Sequence, residues 1–296
     1  MRTLGSYLLR GRLQAVTAIS LFTVIAMSFP PLSYLLSGVP AGLIILRKGP
    51  AYGIQVLIIC LLAVVLFVAL AGVNPQVALA FALSIWAPVT ICCSVLRITQ
   101  SQGWLVFVAG AISAGYILVV HWLIDDIPVW WLQSMEMWVK NAFPDGGGEQ
   151  YLKVLVRAAP AMNALMAVGM TISLIITTFL SRWWQSTLFN PGAFRKEFYA
   201  LRLPNVVIFL TLMGIGLLYI SGGQQGSAGL EVLIVVVVLY LFQGLASVHK
   251  TVAAKGMARG WLVLMYVLLF FVPQAVLLVA CLGLVDSWMV NRDKKR

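Results

Sequence analysis

The sequence predicts an all-α, polytopic transmembrane bundle, and three observations carry that prediction. Of 296 residues, 61% are hydrophobic and 10% charged, against about 25% charged in an ordinary soluble domain. The apolar residues gather into long runs separated by short polar loops, as helices crossing a hydrocarbon core of about 30 Å require. The basic residues sit in those loops, so the net charge of +11 follows the positive-inside pattern. It does not form the single basic face of a nucleic-acid binder, and no nucleic-acid partner is expected.

Taken in order, the first run covers 13–29. Arg2, Arg10 and Arg12 precede it and Ala26-Met27-Ser28 faintly resembles a cleavage site, but further runs follow directly, so an uncleaved first span is the reading. The second run, 32–46, contains Pro40. Its 15 residues reach only about 22 Å at 1.5 Å each, so it is either a re-entrant segment or a short crossing. Arg47 and Lys48 favour a crossing, with Pro30 and Pro31 as the turn. Runs three and four cover 51–71 and 76–96, the latter interrupted at Pro88. Run five, 104–124, carries the small-xxx-small pairs Gly110/Ala114 and Ala111/Gly115, which let another helix approach closely.

Residues 125–157 are acidic and aromatic. Trp130, Trp131, Met135 and Trp138 share one helical face, which predicts an interfacial helix over 129–142. Gly146-Gly147-Gly148 reads as a link, and run six covers 158–180 with Asn163 inside it.

The stretch 181–204, SRWWQSTLFNPGAFRKEFYALRLP, divides the chain. Trp183 and Trp184 stand where interface-anchoring aromatics belong. Asn190-Pro191-Gly192 signals a turn. Phe194, Phe198 and Leu201 then recur at helical spacing, with Arg195, Lys196 and Arg202 largely elsewhere, as in a short amphipathic helix on a bilayer surface. A plain connecting loop with an anchoring helix accounts for the same residues. Runs seven to nine cover 205–220, 230–248 and 261–285, the last with Pro273 at its middle. The expected organisation is a six-span unit at 1–181 with the outer loop 125–157, a linker at 182–204, and further segments and a basic tail at 205–296.

With nine crossings, 13 of the 20 Lys and Arg residues fall on one side, which places the N-terminus in the cytoplasm. The tail's Arg292, Lys294, Lys295 and Arg296 then lie on the opposite side. Eight crossings, with Pro273 folding the last run back, would return the tail. Nine are preferred because each half of that run looks too short to cross alone.

Ionisable groups inside hydrocarbon are functional hypotheses by default, and this chain has few. His121 and Asp125 are spaced i, i+4 at the outer end of run five with Asp126 beside them, which suits a relay or a hydrated interface pair. Asn163 and Gln243 are amides within spans, able to join helices or line a solute path. These five are the pathway candidates; Trp183, Trp184, Arg195, Lys196 and Arg202 are the candidates for contact with lipid or a protein partner. Glu231 and Asp286 lie near span ends, within reach of water. Pro40, Pro88 and Pro273 mark breaks of the kind that bracket transporter sites, although proline is common in ordinary membrane helices too. Cys60, Cys92, Cys93 and Cys281 all fall in apolar runs and read as buried small hydrophobes. No HExxH, phosphate-binding GxxxxGK[ST] or GxSxG motif occurs, so no catalytic residues, metal or cofactor are expected.

FNPGAFRKEFYALRLP at 189–204, FQGLASVH at 242–249 and LGLVDSW at 282–288 resemble the YybS-like family of bacterial multi-pass membrane proteins, a domain of unknown function. The NPG-x-F-x-x-EF stretch is the most specific part. More distantly, the first six runs, with the Pro40 segment and the RKGP-AYG junction, are similar to the S subunits of energy-coupling-factor transporters. That similarity implies a small-solute-binding bundle in the inner membrane, energised by partner subunits. The first run, AVTAISLFTVIA from Ala15, lacks the Ala-xxx-Ala surface on which such S subunits dock their partner. The expectation is a non-enzymatic solute- or lipid-handling protein, with a pocket among runs two to six beneath the Trp130–Trp138 helix. The alternative is a scaffold that holds an unidentified membrane or cytoplasmic protein, or anionic lipid, through 182–204.

Overall fold

The computed structural model describes residues 2–29, 32–143, 148–224 and 226–293, the last five without their side chains. The expected Pro30-Pro31 turn, most of the Gly146–Gly148 link and the end of the tail lie outside the described residues. Within them the chain forms thirteen α-helices and one π-helical turn, with no strand.

α1 (Arg2–Arg10) precedes α2 (Arg12–Met27), which is the first apolar run. A π-helical turn, Tyr34–Gly38, leads into α3 (Val39–Lys48). Pro40 is the second residue of α3, at the point where the π-helical turn tightens into it, so it marks a change of helical pitch rather than a break. Every residue from Pro40 to Leu46 is buried, because α4 (Pro50–Leu70), α5 (Gln76–Thr99) and α8 (Glu149–Phe189) pack around it. The second run is short because it is the centre of the bundle. Gly49, at φ 100°, turns the chain between α3 and α4 in a conformation that side chains disfavour.

α3 meets α8 through small residues. Gly38, at the end of the π-helical turn, and Gly42, on α3, are four apart, as are Thr177 and Ser181 on α8. A Cβ at Gly38 would come within 2.8 Å of Thr177 Cγ2, and one at Gly42 would strike Ser181 Oγ. This is close backbone approach of the kind small-xxx-small pairs permit.

α5 continues through Pro88. A proline at 88 cannot donate to the carbonyl of Ser84, and the Tyr34 hydroxyl supplies the missing bond, donating to Ser84 O at 2.8 Å. Tyr34→Phe is therefore expected to cost about 1 kcal/mol, and less in a Pro88→Ala background, where residue 88 regains its N–H. Additive thermal midpoints for the two substitutions in detergent would refute this pairing.

α6 (Gln102–Leu123) starts directly after α5, with Gln100 left-handed at the junction. Gly110 packs on Leu239 and Ala114 is buried, whereas Gly115 has no neighbour within 4 Å. Only the first of the two small-residue pairs is a packing surface.

α7 (Ile127–Ala142) forms as expected and lies against the start of α8. Phe143 stacks on Tyr151 at 5.0 Å. α8 has 41 residues, about 62 Å at 1.5 Å per residue. It extends the expected run 158–180 at both ends, passing through 182 to Phe189 before the Asn190-Pro191-Gly192 turn. Ser181–Phe189 is thus helix, not loop. α9 (Ala193–Tyr199), α10 (Val207–Ile220) and α11 (Ala228–Ala254) follow.

The ninth run is two helices, α12 (Gly260–Phe271) and α13 (Pro273–Asp293), separated by an extended Val272. α13 has 21 residues, and α12 and the apolar part of α13, Pro273–Trp288, both count among the shorter apolar helices. Cys281 is exposed on α13, unlike the three buried cysteines; it lies on the helix's outward face. α4, α5, α6, α8 and α11 are long and apolar enough to cross a membrane, and α2, α10, α12 and α13 are shorter apolar helices.

Candidate functional site

Two ends of the bundle are distinguished by contact. Arg97 and Gln185 both donate to the Leu46 carbonyl, Arg47 stacks on Phe189, and the Arg202 carbonyl lies against Gly103. The loops that the charge pattern assigns to one side therefore meet at one end, here termed the basic end.

Near the opposite end, α6, α8 and α11 bring four polar side chains together. Asn163 Nδ2 donates to Glu231 Oε2 at 2.5 Å. His121 Nε2 lies 3.2 Å from the same oxygen. Tyr116 donates its hydroxyl proton to Asn163 Oδ1 at 3.0 Å. Glu231 is 2% exposed and His121 23%, so the imidazole is the member of this pair that opens toward the surface. The carboxylate sits in the first turn of α11, where the positive end of the helix dipole favours it.

The cluster continues along α8. Asn163, Thr171, Thr178, Ser181 and Gln185 recur on one face, interleaved with buried Ala167 and Leu174. Thr171 Oγ1 lies 2.8 Å from Ser113 Oγ of α6, and Ser181 lies against Val39 O. Thr177 and Thr178 are fully buried; the Thr177 hydroxyl has no hydrogen-bond partner, although buried polar atoms are generally paired, while the Thr178 hydroxyl faces the Cys93 thiol. From Asn163 to Gln185 the helix rises about 33 Å, close to the thickness of a hydrocarbon core. Hydroxyls in apolar helices commonly bond back to their own carbonyls, as Thr171 and Ser181 do, and packing alone accounts for those two. It does not account for a buried glutamate.

Of the pathway candidates, the structure joins His121 and Asn163 and leaves three apart. α6 ends at Leu123 and Ile124 is extended, so Asp125 leaves the helical face it was expected to share with His121. Asp126 caps α7, accepting from Val129 N at 3.0 Å. Gln243 is a clasp at the basic end: its Oε1 accepts from Leu203 N and its Nε2 donates to Asp286, each at 3.1 Å. The polar cluster needs α11, so it does not lie among runs two to six alone. Glu231, expected to reach water, is instead its buried centre. The signal available was an acid directly preceding the run VLIVVVV.

Among the contact candidates, Trp184 is 5% exposed and packs against α1 at Gly5, while Trp183 is 41% exposed. Only Trp183 stands where an interface anchor would. Arg182 pairs with Glu197, tying α9 back to α8, and Phe194 and Phe198 pack on Phe179. Arg195, Lys196 and Arg202 remain exposed. No group of three or more His, Cys, Asp or Glu able to hold a metal occurs among the described residues.

Long apolar helices around a buried polar seam define a multi-helix integral membrane protein. The chain belongs to the family described as Predicted membrane protein (DUF2232), whose model matches residues 15–287. No curated protein and no solved structure matches it.

Proposed function

We propose that this membrane protein binds and conducts a small polar solute along the polar face of α8, which meets α6 and α11 at the Glu231 end and α3 at the basic end, with Glu231 as its recognition centre. The observation that carries this reading is the buried Glu231 carboxylate, held by His121 and Asn163 at the head of a polar face about as long as a bilayer is thick. A carboxylate in that position selects for positive charge or strong hydrogen-bond donors, so cationic or amine-bearing solutes are the favoured class. The sequence resemblance to transporter S subunits implies a small-solute ligand, without specifying its charge. With no ATPase motif in the chain, the energy would come from a gradient or from partner subunits. The orientation of the positive-inside pattern puts the seam's Glu231 end outside the cytoplasm.

The test is thermal stabilisation of the purified protein by a panel of vitamins, metal cations and amines. A hit should stabilise the wild type and leave Glu231→Gln unchanged. A panel that shifts nothing, or shifts both proteins equally, would sink the proposal. The scaffold reading is favoured only by the exposure of Arg195 and Lys196 on a helix anchored through Glu197. It makes the opposite forecast: solutes have no effect, and charge reversal at those two residues strips a co-purifying protein.

A further inference from the structure

At the basic end, the C-terminal parts of α3, α5 and α8 enclose a cavity of about 370 Å³ lined by Arg47, Arg97, Arg182, Gln100, Gln185 and Leu46. Ligand sites commonly begin near 300 Å³. Each guanidinium is positioned by a specific partner. Arg47 lies over the Phe189 ring, 3.8 Å from its centroid. Arg97 donates through Nη1 to the Leu46 carbonyl, which also accepts from Gln185 at 3.1 Å. Arg182 donates to Gln185 Oε1 at 2.6 Å and pairs with Glu197.

The charges do not balance. Among the described residues Glu197 is the acid paired there, and it is committed to Arg182. Arg47 and Arg97 have neutral partners only. Both lie in the last turns of their helices, where the dipole offsets part of their charge, but a dipole does not satisfy a planar fork of donors. Arginine forks match the oxygens of phosphate and hold them in two parallel bonds. A second groove of about 580 Å³ adjoins the cavity, shares Arg47, and adds Arg2, Arg10 and Lys48, extending the positive field beyond the cavity mouth.

We propose that this cavity is a binding site for a phosphate-bearing anion, gripped chiefly by Arg47 and Arg97, with Arg182 and Gln185 fixing its inner wall. It is separate from the Glu231 seam and does not depend on it. Its place at the ends of membrane-crossing helices suits a phospholipid headgroup, and a free phosphate ester offers the same chemistry.

The experiment uses the full chain purified in mild detergent. Native mass spectrometry reads retention of phosphatidylglycerol against phosphatidylcholine. Thermal unfolding reads stabilisation by inorganic phosphate and glycerol 3-phosphate. Wild type should retain phosphatidylglycerol at least tenfold over phosphatidylcholine, which assigns the anion to the bilayer, or be stabilised by millimolar phosphate compounds, which assigns it to solution. In either case R47Q/R97Q should weaken binding at least tenfold. K250Q/K255Q, which removes the same charge outside the cavity at exposed positions, should stay within twofold. If R47Q/R97Q does not fold, R47Q alone should lose at least threefold, since Arg47 holds no backbone group. No preference in either arm, equal loss in both double variants, or full binding by R47Q would overturn the site.

Discussion

Glu231→Ala lowers the thermal midpoint of the detergent-purified protein by several degrees. The substitution removes the oxygen that accepts from Asn163 and faces His121. It leaves an amide donor, and an imidazole nitrogen, without their partner in a site that is nearly closed to water. An unsatisfied buried donor costs about 1–3 kcal/mol, and a domain of comparable size shifts by roughly 2–4 °C per kcal/mol. Glu231→Gln should cost less, because its amide oxygen still accepts one of the two bonds. Asp125→Ala, at an exposed loop position, should stay within about 0.5 kcal/mol. Adding Asn163→Ala to Glu231→Ala should cost less than the sum of the two, since the second substitution removes the stranded donor. Wild-type stability in Glu231→Ala would mean that the carboxylate is not held as described, and the proposed recognition centre would go with it.

Gly283→Val should release α13 from the bundle. The crossing of α11 and α13 brings backbone onto backbone: a Cβ at Gly283 would overlap the Tyr240 carbonyl, and one at Gly244 the Val279 carbonyl. A flexible side chain can move aside, but a helical carbonyl is held by its own ladder. The only relief is displacement of the whole helix, so the cost should reach or exceed the upper end of the usual 1–3 kcal/mol for overpacking. Gln243, which bridges Leu203 and Asp286, would lose one of its two partners in the same event. Gly115→Val is the matched control, because that glycine has nothing within 4 Å. The readouts are thermal midpoint and protease cleavage in the loop at 255–259. Equal behaviour of the two variants would show that α13 is not docked through these glycines.

Particular residues show how far the sequence could be read. The apolar runs located nearly every long helix, since periodic burial in lipid needs only composition and length. Loop charge grouped the helix ends at Arg47, Arg97 and Arg202, and the structure brings those ends together. Asn163 and His121 stood out as polar groups in apolar runs, and the structure joins them. Their shared partner did not stand out. Glu231 follows a polar turn, and one residue of helix phase separates an acid at the water's edge from one turned inward. Pro88 looked like a break, yet α5 continues through it because Tyr34, fifty-four positions earlier, supplies the lost donor. Pro40 also looked like a break and sits where a π-helical turn tightens into α3.

Composition, run length and loop charge were enough to establish a helical membrane protein with one basic end, for each is a local property that the bilayer as solvent selects residue by residue. Which polar groups meet was settled by packing. Glu231 lies 68 and 110 positions from Asn163 and His121, and Arg47, Arg97 and Arg182 line one cavity from three helices. The crossings of α6, α8 and α11, and of α3, α5 and α8, set by small residues and close backbone approach, brought those side chains to one place.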